Sequence, residues 1–358
     1  MKIFNTLLPV FLAVLLSCCN RIEGPSSSFP ITFRTIIRWK LAASPSPIAT
    51  QTSSGDYLIA GLTEDIRAFV GKVNARGDSV WYKMLDLTSE PIAIFEQKTG
   101  RIAVVTGKHL FITDRMGNVL LKKLWPQGLY PSSSKKSNSG ASFVTGRADS
   151  SYFAAEFDIS GNILWTLLMP GSHGTDNRYA NEAWSIEEVS DTGYVVAGIE
   201  YYATEPGGPL VLMGISTNLS KPYLTWQKQF YSIRFPKAYL FRLKSQQLAI
   251  AGDGRTLLTT TFDGDSIASV ISPRYPPTLY LLEALFIPEP ESLVSLWSGN
   301  NNVVLTQESL KGDSLWSTSF EDIQNGSLTQ TLDGGYLIAG KTLSNYIQLI
   351  RVDPNGQL

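Results

Sequence analysis

The 358-residue chain has only two cysteines, Cys18 and Cys19, and only two histidines, His109 and His173. The cysteines are adjacent, so the chain beyond residue 19 has no disulfide and no thiol nucleophile. The histidines stand 64 residues apart, without His-x-His, Cys-x-x-Cys or His-Glu-x-x-His spacing, so no metal is expected. Charge is sparse at 17% and balanced, with 30 Lys plus Arg against 31 Asp plus Glu. Neutralising phosphates needs a surplus of basic residues, so no nucleic acid is expected as a partner. At 43% hydrophobic, the chain is too apolar to be disordered. There is no Gly-x-Ser-x-Gly, and AGDGR at 251–255 is not followed by the Lys-Ser or Lys-Thr of a phosphate loop. Asp263-Gly264-Asp265 lacks the rest of a calcium loop and reads as a turn. No cofactor and no catalytic residue is assigned.

One apolar run is long enough to notice. Ile3–Leu16 follows Lys2 and is too short to span a bilayer, so it reads as a secretion signal. It ends in Leu15-Leu16-Ser17-Cys18, which resembles the lipobox of bacterial lipoproteins. The resemblance implies cleavage before Cys18 and acylation of that residue, with Cys19 the alternative. Residues 1–17 are then the signal and 18–33 the acylated cysteine and tether, Asn20–Pro30 being rich in Ser, Pro and Gly. The second residue of the mature chain is not Asp. The expected address is therefore the cell envelope, lipid-anchored in the outer membrane.

The rest of the chain is a repeat. SGDYLIAGLT at 54–63, DTGYVVAGIE at 191–200 and DGGYLIAGKT at 333–342 share a polar turn, an aromatic, an aliphatic pair and Ala-Gly. Weaker copies align Gly107, Gly146, Gly252 and Gly299 with Gly61, Gly198 and Gly340. The spacings are 46, 39, 52, 54, 47 and 41, the length of a four-stranded propeller blade. After each copy comes a strand, a polar tip with Gly (Asn218 in the fourth copy) and often Asp or Asn, and a second strand that often bears Trp, as at Trp81, Trp165, Trp226 and Trp316. Recurrence at that place predicts packing between neighbouring blades.

The last copy stops at VDPNGQL, where its fourth strand should begin. Thr35–Leu41 (TIIRWKL) has the missing strand's pattern, with Trp39 in the place of Trp81. The sequence therefore predicts an all-β, seven-bladed β-propeller over 34–358, closed by an N-terminal strand that completes the last blade. The pattern resembles the β-propeller repeats of bacterial lipoproteins of the DGGY-x-x-AG type. The tips VNARGDSVW at 73–81 and FDISGNILW at 157–165 are similar to the quinoprotein repeat. Quinoprotein dehydrogenases use a vicinal disulfide, and the only vicinal pair here lies in the secretion segment, so quinone chemistry is not expected.

Propeller ligands usually bind where the blade-joining loops and the loops between strands two and three surround the channel. Three such segments are long, and all flank the fourth copy: Pro170–Ala183, Tyr201–Pro209 and Tyr231–Ala238. They supply the candidate ligand-binding residues His173, Asp176, Arg178, Tyr179, Glu182, Tyr201, Tyr202 and Arg234. Tyrosine faces stack and Arg forks grip carboxylates, which suits a glycan, a peptide or an envelope protein. The expected function is a non-enzymatic binding or scaffold module anchored to the membrane. The alternative is a channel-mouth hydrolase or lyase built on His173 and nearby carboxylates.

Overall fold

The computed structural model describes residues 32–42, 46–86, 88–137, 140–171, 179–202, 208–218, 221–235, 237–252, 256–271, 279–299 and 301–358. They form seven four-stranded antiparallel sheets and no helix. The N-terminal strand is β1 (Phe33–Lys40). Blade one holds β2 (Ile48–Gln51), β3 (Tyr57–Leu62), β4 (Ala68–Val73) and β5 (Ser79–Met84). Blade two holds β6 (Pro91–Glu96), β7 (Ile102–Thr106), β8 (His109–Thr113) and β9 (Val119–Leu124). Blade three holds β10 (Leu129–Lys136), β11 (Ser142–Ala148), β12 (Ser151–Phe157) and β13 (Ile163–Met169). Blade four holds β14 (Tyr179–Ser190), β15 (Gly193–Tyr202), β16 (Gly208–Ser216) and β17 (Tyr223–Phe235). Blade five holds β18 (Ala238–Arg242), β19 (Gln247–Gly252), β20 (Thr256–Thr261) and β21 (Ser266–Ile271). Blade six holds β22 (Tyr280–Pro288), β23 (Glu291–Ser298), β24 (Asn302–Ser309) and β25 (Ser314–Glu321). Blade seven holds β26 (Gln324–Gln330), β27 (Tyr336–Lys341) and β28 (Tyr346–Val352), and β1 completes it in the order β1-β28-β27-β26.

The middle strands of each blade are buried on both faces, which is why their sequences are continuous rather than alternating. In β15, Tyr194 and Val196 enter the core shared with blade three, while Val195, Ala197 and Ile199 enter the core shared with blade five. The same division holds around the ring, with one apolar cluster at each of the seven blade interfaces. Each fully buried aliphatic side chain contributes about 1.5–3 kcal/mol, so the ring is held by side-chain burial between sheets.

The recurrent tryptophans work as expected. Trp165 meets Tyr194 of the next blade at 5.8 Å between centroids, and Trp316 meets Tyr336 at 5.9 Å. Tip glycines lie beneath these rings: a Cβ at Gly264 would come within 2.7 Å of Trp226, and Gly264 also has φ +75°. Side-chain caps fix the tips, as in Asp158, whose Oδ1 accepts from the Ser160 and Asn162 amides at 2.8 Å.

The closing strand pairs with Tyr346–Val352 as predicted, but the register corrects one detail. Phe33 lies opposite Arg351 and Lys40 opposite Tyr346. Counting from the tip, Phe33 rather than Trp39 occupies the place of Trp81, which lies opposite Lys72. Phe33 accordingly meets Tyr57 of blade one at 5.9 Å, edge-on, the contact that Trp165 and Trp316 make elsewhere. Trp39 sits at the far end of β1, against Phe69 at 5.8 Å and Tyr82 at 4.9 Å. Residue type suggested the first alignment; the backbone pairing set from the tip determines the second.

Candidate functional site

Blade four differs from the rest. Its strands have 12, 10, 9 and 13 residues, against 4 in β2 and 9 in β22, the extremes of the other blades. The extra length lies at the end where β14 begins. There Tyr179 pairs with Tyr202, and Gly208 with Phe235. Much of the segments 179–183, 201–202 and 231–235, read from sequence as loop, is therefore strand. Tyr-rich sequence is compatible with a pleated backbone, and pairing across two adjacent hairpins stabilises it further. Tyr231 lies in a three-residue irregularity of β17 and is 66% exposed.

Beside this extension the axial channel widens into a cavity of about 600 Å³, lined by residues from all seven blades. Its shape follows from irregular pairing of the inner strands. The innermost strand of five blades carries a bulge, leaving Ile92, Ser132, Trp184, Leu282 and Asn325 without a register partner. All five line the cavity. A bulge re-aims the extra residue and kinks the strand. In three of these blades the motif glycine faces the kink: a Cβ at Gly198 would lie 3.1 Å from the Glu182 carbonyl, and one at Gly340 would lie 2.6 Å from the Asn325 carbonyl. At Gly146 it would overlap the Tyr130 carbonyl outright.

The charged residues on the wall are Glu90, Glu182, Glu283 and Lys237. Glu182 accepts a hydrogen bond from Ser132 Oγ. Lys237 Nζ lies over the Trp184 ring, 5.2 Å from its centroid. The Trp184 indole donates to the Tyr201 hydroxyl at 3.1 Å, which fixes the ring by its edge. Burial raises the Tyr201 phenol above its ordinary value, and the Glu182 charge adds to that rise. Glu283 stands where this cavity meets a second opening of about 460 Å³ toward the hairpin-tip face. Burial pushes its carboxyl up to about 7, although Lys237 and the Leu328 amide pull the other way. Burial also raises Glu90, again against Lys237. A carboxyl near 7 is competent to exchange protons at neutral pH, and a wall of acids, serines and an indole is competent to hold a polar cationic group. Among the described residues no group of three or more His, Cys, Asp or Glu is placed to hold a metal ion.

Of the residues selected from sequence, Glu182 lines the cavity and Tyr201 supports its wall through Trp184. Tyr179, Tyr202 and Arg234 lie on the extended strands of blade four, Arg234 opposite Pro209. His173, Asp176 and Arg178 lie outside the described residues, as does Cys18. Sequence reasoning did not select Glu90, Trp184, Tyr239 or Glu283, and reached Lys237 only as a member of the segment Tyr231–Ala238. One signal was available: an acid inside the otherwise apolar run Leu281-Leu282-Glu283-Ala284-Leu285-Phe286.

No protein-family model matches the chain, and no curated protein matches it in sequence. Solved structures do match in fold. The N-terminal part of BBS1 in complex with ARL6 is 14% identical, with TM-score 0.58, over 92% of this chain and 99% of that one. BamB from Moraxella catarrhalis is 12% identical, with TM-score 0.51, over 90% and 100%. A catalytically inactive virginiamycin B lyase from Staphylococcus aureus, solved with quinupristin, is 11% identical, with TM-score 0.59, over 90% and 100%. At these identities the likeness extends to the fold, and the chain is a seven-bladed β-propeller.

Proposed function

We propose that this chain is a lipid-anchored binding module of the bacterial outer membrane, and that it docks an envelope protein on the face where its blades are joined. The extension of blade four carries the reading. Two adjacent hairpins lengthened at one end, beside the wider mouth of the channel, mark one face and one sector of an otherwise regular ring. The outermost strand there, β17, offers an unpaired backbone edge and the exposed Tyr231 ring. Edge strands and tyrosines are the usual currency of protein recognition. The BBS1 fragment, a propeller of the same fold, is recorded in complex with ARL6.

A photo-reactive residue at position 231 of the full chain in its native membranes tests the docking. One at position 315, on the rim of blade six, is the control. The expected result is a discrete protein adduct at 231 and none at 315, reproduced with that purified partner. Equal patterns at both positions refute the assignment of the face. The anchor is tested by labelling with an alkynyl fatty acid: Cys18→Ala abolishes the label and Cys19→Ala retains it. The reverse pattern moves the acylated residue to Cys19, and no label on the wild-type chain refutes the anchor.

A further inference from the structure

We infer that the axial cavity is a binding site for an organic cation, an ammonium or guanidinium group held between the Glu90, Glu182 and Glu283 carboxylates and the Trp184 indole. Three observations converge on it. The cavity, about 600 Å³, has the size of a small-ligand site rather than of a packing gap. Among the described residues its wall carries three carboxylates against one ammonium, an excess of acidic groups. Its own lysine already shows where a cation rests: Lys237 lies over Trp184 and enters no ion pair among the described residues. An indole whose N–H edge is hydrogen-bonded to Tyr201 is a preorganised seat for such a group.

The surrounding charges leave this excess in place. At the second opening, Lys135 is paired with Glu187. Arg242 donates to the Glu188 carbonyl at 3.1 Å and lies over Phe262. The Tyr239 hydroxyl donates to the Leu282 carbonyl. Among the described residues Lys237 is thus the one cation lining the cavity with Glu283. Burial raises the proton affinity of Glu283 and of Glu90, and Lys237 alone among the charged groups opposes it. A bound cation relieves it by drawing the Glu283 proton off.

The same chemistry arises from a free polyamine-like molecule or from a lysine or arginine side chain of a docked protein. In the second case the inference deepens the proposed docking; the cavity stands without it. Calorimetric titration of the full chain with agmatine, with a capped arginine tripeptide and with neutral N-acetylglucosamine separates these cases. Agmatine, the tripeptide or both are expected to bind at pH 8, and the sugar is not. Agmatine alone indicates a free ligand, and a stronger tripeptide indicates a side chain.

Glu283→Gln is expected to weaken binding about tenfold at pH 8 and hardly at all at pH 5.5, where Glu283 is already protonated. Lys237→Met is expected to tighten it by a similar factor, because it removes the resident competitor. Opposite signs from two substitutions in one cavity cannot come from misfolding. Absence of cation binding, stronger binding of the sugar, or weakening by Lys237→Met overturns the inference. The docking proposal then still stands on its own crosslink.

Discussion

Replacing Glu283 with Gln should stabilise the folded ring, and the gain should depend on pH. An unfolded chain releases this proton near the ordinary carboxylate value of 4.5, whereas the folded ring holds it to about 7. Between those values the folded state keeps a proton that the unfolded state has lost. Stability from this group is therefore complete below pH 4.5, falls as pH rises through the window, and levels off above 7. Two and a half pH units correspond to about 3 kcal/mol. Channel water reduces it, so about 2–3 kcal/mol is expected at pH 8.5. Gln keeps the carbonyl oxygen that accepts from Leu328 and never ionises. The Glu283→Gln and wild-type proteins should thus differ little at pH 4.5 and diverge steadily above it. Urea unfolding at pH 4.5, 6, 7 and 8.5 measures the difference directly. With a slope near 3 kcal/mol per molar, the midpoint of the variant should lie about 0.7–1 M higher at pH 8.5. Other elevated carboxyls, such as Glu90 and Glu156, are common to both proteins and cancel. A difference that is constant with pH, or that shrinks as pH rises, refutes the account of the channel.

Two further substitutions test the ring itself. Gly146→Ala, whose new methyl overlaps the Tyr130 carbonyl, should cost about 3 kcal/mol or more; Gly107→Ala, with Ser89 Oγ nearest at 3.6 Å, should cost under about 1 kcal/mol. Equal thermal shifts in the two would show that the motif glycine does not serve the bulge. Phe33→Ala, which empties the contact with Tyr57, should cost about 2 kcal/mol and speed hydrogen exchange in Tyr346–Val352 before other strands. Uniform exchange around the ring would contradict a seam that opens first.

The ring was legible because the repeats carry two recurring signals, Tyr-aliphatic-Ala-Gly in three copies with weaker versions in the rest, and a polar tip followed by Trp in four. The closing strand was legible for the same reason, since a repeat truncated at Leu358 and a strand without partners at Thr35–Leu41 complete one another. Its fine register was not. Phe33 stands in for Trp, and a search for Trp lands on Trp39, six residues away. Blade four misled in a different way. Tyr and Asn at 179–183, Tyr201, Tyr202 and Gly208 look like loop when read one segment at a time, and are strand because the backbone pairs across hairpins.

The cavity was hidden more deeply, and the reason connects the repeat to its use. Alternation along an inner strand predicts which side chains point to the channel only while the pairing is regular. At Ile92, Ser132, Trp184, Leu282 and Asn325 it is not regular. Gly146, Gly198 and Gly340 face the kink, and a larger residue there would meet the inner-strand carbonyls. That distortion presents five chemically different side chains to one space. The irregular pairing thus sets the geometry of the site, while the residues that break the repeat, Glu90, Trp184, Lys237 and Glu283 among them, encode its chemistry. They lie up to 193 positions apart in sequence and share no motif, so they come together only once the ring has closed.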